Sequence, residues 1–120
     1  MANILAVDDQ TSIRQLVKYV LELDGHNITL AQNAQEALEI AKVSEFDLII
    51  SDVNMPGMTG INMVSKLRRM DQYQGIPILM LTTETSQYKK SKARSSGASG
   101  WLSKPFDPPR LSHAVSKLLL

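Results

Sequence analysis

Five chemically capable residues stand where short apolar runs give out. Asp8 and Asp9 follow the run at 4–7, Asp52 comes just after 48–50 and Ser51, Thr82 follows 76–81, and Lys104 comes just after Trp101, Leu102 and Ser103. If those runs are neighbouring strands, one edge of a sheet receives three carboxylates, a hydroxyl and an ammonium. Such a cluster is costly by itself: two unit charges about 4 Å apart repel by roughly 4 kcal/mol at an effective dielectric near 20. Lys104 offsets one charge. A hard divalent ion would offset the rest, and Mg²⁺ favours a few carboxylates together with waters and phosphate oxygens. A carboxylate beside such an ion can attack phosphorus, with metal and ammonium stabilising the charge on the phosphoryl oxygens.

Each residue alone has a plainer reading. Asp8 or Asp9 could cap the first helix, a role for which Thr11 and Ser12 compete. Asp52 before Pro56-Gly57 could belong to a turn, Thr82 is an ordinary strand-end residue, and Lys104 could be a solvated surface lysine. It is their conjunction at four strand ends that points to chemistry.

The elements that would bring them together can be read from pattern. Runs at 4–7, 28–31, 48–50, 76–81 and 101–102 suit strands covered on both faces. Ile13, Leu16, Val17, Val20 and Leu21 fall on one helical face, with Gly25 placed to stop the helix. Ala34, Ala37, Leu38 and Ala41 repeat the pattern, and Ile61, Val64 and Leu67 do so more loosely. Asp107 can cap a last helix whose first turn takes Pro108 and Pro109 and whose stripe is Leu111, Ala114, Val115, Leu118 and Leu119. A βα unit repeated five times predicts a doubly wound α/β parallel sheet with helices on both faces, since parallel strands need crossovers of one hand. Ligands of such sheets bind beyond the carboxyl ends of the strands, where the five residues lie.

The set Asp8-Asp9, Asp52 followed by Val53-Asn54-Met55-Pro56-Gly57-Met58-Thr59-Gly60, Thr82, and Lys104-Pro105-Phe106 resembles the motif set of CheY-like response-regulator receiver domains, over the whole chain. The resemblance implies the flavodoxin-like strand order 2-1-3-4-5 and a single receiver domain over residues 1–120 with no output domain. It implies phosphorylation of Asp52 by a sensor histidine kinase of the CheA-like kind, with Mg²⁺ as cofactor. Asp9, Asp52 and the Asn54 carbonyl would ligate the ion and Asp8 would help through water. Lys104, preceding a cis proline, would pair with the phosphoryl group, and Thr82 would turn to hydrogen-bond it. Trp101 falls where the family carries a switching aromatic, although a partly buried core tryptophan is the plainer reading. Asn54 and Glu84 occupy variable positions that influence phosphate lifetime.

The chain would then be a signalling switch of chemotaxis and not an enzyme beyond the chemistry of its own phosphoryl group. Its message would leave by the surface of the fourth helix, fifth strand and fifth helix, toward an effector such as a flagellar motor switch component, with a phosphatase among its further partners. A phosphorelay intermediate is the alternative. A Mg²⁺-dependent phosphohydrolase is a distant third, because Asn54 stands where such enzymes place an acid. Four basic residues, Lys89, Lys90, Lys92 and Arg94, crowd the fourth helix, which has little apolar stripe and should dock least firmly; a solvated face or a basic partner surface would account for them.

Composition fits this picture. The chain has 120 residues, 43% hydrophobic and 21% charged, and a net charge of +1, too small for a dedicated nucleic-acid binder. It lacks cysteine, so disulfides and thiolate chemistry are excluded. No run resembles a signal peptide or membrane span, which predicts a cytoplasmic monomer with no membrane insertion. Met63, Met70 and Met80 read as core fillers. His26 and His113 have no ligand partner at metal spacing.

Overall fold

The computed structural model describes residues 1–83 and 87–120, apart from the side chains of 87–90 and 93. Five strands, β1 (Asn3–Val7), β2 (Asn27–Ala31), β3 (Leu48–Asp52), β4 (Ile78–Thr82) and β5 (Gly100–Ser103), alternate with five helices, α1 (Thr11–Leu23), α2 (Ala34–Val43), α3 (Gly60–Leu67), α4 (Gln87–Ser96) and α5 (Pro108–Leu118). The sheet is parallel throughout, in the order β2-β1-β3-β4-β5. This is the doubly wound α/β arrangement the sequence predicts.

Both faces of the sheet are buried, and the strand period of two divides its side chains between two cores. Leu5, Val7, Ile49, Ile78 and Met80 join the α2 and α3 side chains Ala37, Val64 and Leu67. Ile4, Ala6, Leu48, Ile50, Leu79 and Leu81 point the other way and meet Val17 and Leu21 of α1 and Leu111 and Val115 of α5. Met63 and Met80 are fully buried and Met70 packs on the first core, as their reading as core fillers expects.

Helix ends follow the expected chemistry where a side chain is suited to it. Asp107 accepts from the Arg110 N–H at 3.0 Å, with prolines in the first turn behind it. Gly25 takes a φ of +92° just past α1. Asn33 and Thr59 cap α2 and α3 by accepting the N–H of Glu36 and Asn62. Strand boundaries shift slightly from expectation. β4 begins at Ile78, because Pro77 has no N–H to give the ladder, although its carbonyl still accepts from Ile49. β3 runs on to include Ser51 and Asp52, so the carboxylate sits on the last residue of a rigid central strand.

Candidate phosphoacceptor site

Four backbone bonds align the carboxyl ends of the strands. The Asp8 N–H donates to Ala31, Val53 to Leu81, and Lys104 to Thr82, while Gly60 donates to Val53 at the mouth of α3. That last contact requires glycine: a Cβ on Gly60 would lie 2.0 Å from the Asp52 carbonyl oxygen. The α3 N-terminus can therefore approach the strand that carries Asp52.

The expected residues converge. Oxygen atoms of Asp8, Asp9 and Asp52 lie within 4.8 Å of one another, and this is the only such acidic group among the described residues. Asp8 and Asp52 are buried, whereas Asp9 is exposed. The Lys104 ammonium donates to Asp8 Oδ2 at 2.8 Å and lies 3.4 Å from Asp52 Oδ1. Thr82 is buried beside them at the end of β4. The Lys104–Pro105 bond is cis. Asn54 is exposed on the pocket wall. Trp101 is half-buried on β5, paired with Met80 in the neighbouring strand and packed on the first core. Glu84 lies outside the described residues. Neither Asp8 nor Asp9 caps α1, for Gln10 holds the N-cap position.

Burial dominates the electrostatics of Asp52. Its carboxyl is pushed up from 3.8 to about 6, first by loss of solvent and second by the Asp8 charge; Lys104 and the backbone of Asn54 oppose the rise without cancelling it. Both Asp8 oxygens already accept bonds, one from Lys104 and the other from the Gln10 N–H at 2.9 Å. Asp9 and Asp52 are thus the carboxylates left to face an ion. An all-oxygen donor set with more negative than positive charge suits a small hard cation, so the residues fit Mg²⁺. A cavity of about 230 Å³ opens above them, lined by Asp9, Gln10, Asp52, Asn54, Thr83 and Lys104.

Known proteins share this arrangement. A family profile described as the response regulator receiver domain matches residues 4–116. The chain belongs to that family. The receiver domain is similar to the solved structure of Vibrio cholerae chemotaxis response regulator CheY4, at 50% identity and a TM-score of 0.96, with 99% of each chain covered. It is 34% identical to the chemotaxis protein CheY-3 of Vibrio cholerae, covering 97% of this chain and 90% of that one. Against the Probable transcriptional regulator ycf29 of Porphyra purpurea it is 35% identical over 98% of its length, yet spans only 56% of that protein. Receiver domains serve two-component signalling, where phosphorylation and Mg²⁺ binding at the acidic pocket are general features.

One pocket residue escaped the sequence reading. Gln10 adjoins the motif residue Asp9 and lines the cavity, as does Thr83, whose size the sequence sets beside the phosphoryl position. Adjacency to a strand end was the available signal for Gln10, but its type, unlike a carboxylate or an ammonium, advertises no chemistry.

Proposed function

We propose that this receiver domain is a phosphorylation switch in the cytoplasm, taking a phosphoryl group onto Asp52 from the phosphohistidine of a sensor kinase, in chemotaxis. The observation that carries the reading is the Asp52 carboxylate itself, on the floor of an open cavity, 3.4 Å from an ammonium and clustered with two further carboxylates.

In the transfer, an Asp52 oxygen attacks phosphorus as the histidine N–P bond breaks, and the imidazole leaves with the electron pair. Lys104 follows the charge by shifting from carboxylate to phosphoryl oxygen. Its tether to Asp8 keeps it within reach. A magnesium ion held by Asp9, Asp52 and the Asn54 carbonyl, with Asp8 acting through water, would supply charge neutralisation at the phosphoryl oxygens. Thr82 then turns its hydroxyl to the phosphoryl group, and Trp101, one strand away, moves toward the space it leaves. The change reaches the surface of α4, β5 and α5, where an effector such as a motor switch component reads it. Phosphorylation can shift that surface only through its unequal contacts with the two states.

Incubation with acetyl phosphate and magnesium tests the assignment. Intact mass should show one added phosphoryl group on the natural protein and none on Asp52→Asn. Uptake by the variant at an unchanged rate would refute the site.

A further inference from the structure

The rim of the Asp52 cavity contains a residue that neither holds the cation nor balances its charge. Gln10 occupies the N-cap of α1, where a short polar side chain normally accepts an N–H from the first turn. Its side chain makes no such bond. It extends over the cavity, with its amide oxygen 3.5 Å from Lys104 Nζ. Its main chain is fixed there by the bond to Asp8 Oδ1 at 2.9 Å. The helix thus begins without a side-chain cap, and the cavity gains an exposed carboxamide with one acceptor and two donors, all uncharged.

Once Asp52 carries a phosphoryl group, water can reach phosphorus only from the open side of this cavity, since the other side is the sheet. The described rim groups outside the charged cluster are Gln10, Asn54 and Thr83. Gln10, like Asn54, offers both hydrogen-bonding senses with no charge to repel the phosphoryl oxygens, and its amide oxygen already stands 3.5 Å from the Lys104 ammonium that pairs with them. We infer that Gln10 sets the lifetime of the phosphorylated state by orienting the hydrolytic water, an inference that rests on Asp52 being the phosphoacceptor. The amide oxygen accepts one hydrogen of the water and aims a lone pair at phosphorus. The new P–O bond forms as the bond to Asp52 breaks. Asp52 leaves as a carboxylate with the electron pair, and the water's proton departs with inorganic phosphate or to solvent. A carboxamide cannot take that proton, so its contribution is orientation.

The test is the decay of ³²P-labelled protein, prepared with acetyl phosphate and magnesium, in the natural chain and in Gln10→Met, which keeps length and loses the amide. Removing one ordinary hydrogen bond should slow phosphate release by about tenfold. Loading from acetyl phosphate should fall by much less, because Lys104 retains Asp8 as its principal partner. Equal decay in the two proteins would overturn the inference. So would an equal slowing of loading and decay, which would assign Gln10 to holding Lys104 instead. Natural protein that takes up no label would overturn the phosphoacceptor reading, and this inference with it.

Discussion

At Asp52 the needs of folding and of chemistry conflict. Burial and the Asp8 charge raise its carboxyl to about 6, yet a nucleophile must be ionised. A folded-state value above the unfolded one favours the protonated group, so its stabilising effect is complete below about pH 4. It is lost as pH rises through about 6, a change of about 3 kcal/mol for a shift of this size. In the absence of divalent ions, Asp52→Asn should therefore be more stable than the natural protein above pH 6, with the difference closing toward pH 4. Urea denaturation at several pH values measures it, and an advantage independent of pH would contradict this account. The motif aspartates, Thr82 and Lys104 were legible in the sequence because structure alone seldom gathers carboxylates and an ammonium at neighbouring strand ends. Gln10 was not, since an amide beside a motif serves many ordinary purposes. Only the geometry shows that its side chain leaves the cap empty and overhangs the cavity.

Among the elements, the hold on the C-terminal end of α4 comes from a residue the sequence reading passed over. Arg68, just past α3, donates to the carbonyls of Gly97 at 2.6 Å and Ile76 at 2.6 Å, and also to Tyr73. It therefore ties the ends of α3 and α4 to the approach to β4, and burial lowers its pKa. Gly97 must be glycine twice over: its φ is +116°, and a Cβ would come within 2.8 Å of the Arg68 stem. Arg68→Ala strips those carbonyls of their partner and should cost about 1–3 kcal/mol in urea denaturation. Arg68→Lys should recover only part of this, because a single ammonium cannot replace the guanidinium fork. Tyr73 works similarly, with its buried hydroxyl shared between the carbonyls of Ala41 and Ser44 at 2.7 and 2.6 Å. Strands and amphipathic helices announce themselves by period, whereas these anchors are single residues whose partners are backbone atoms far along the chain. Periodicity carries no trace of them.

For the whole molecule, the alternation of apolar runs and helical stripes made the fold class readable, while the strand order came from the motif resemblance, since pattern alone does not rank strands. Net charge concealed more than it told. Residues 1–62 hold nine acidic and three basic side chains, and residues 63–120 hold three acidic and ten basic. The sheet order then places β2, β1 and β3 on the acidic side and β4 and β5 on the basic side, a polarity hidden within a total of +1. Metal binding should also register across the molecule. An ion that binds only the folded state adds about 2.7 kcal/mol at one hundred times its dissociation constant. Magnesium should thus raise the thermal midpoint of the natural protein and leave Asp9→Asn nearly unmoved; an equal rise in both would place the ion elsewhere. No helix among the described residues is long and apolar enough to cross a membrane.

The most direct measurement locates the phosphoryl group chemically. Protein treated with acetyl phosphate and magnesium, reduced with borohydride and digested, converts an acyl-phosphorylated aspartate to homoserine, which tandem mass spectrometry places by residue. Homoserine at position 52 alone is the expected result; homoserine at position 8 or 9, or at none of the three, would contradict the account.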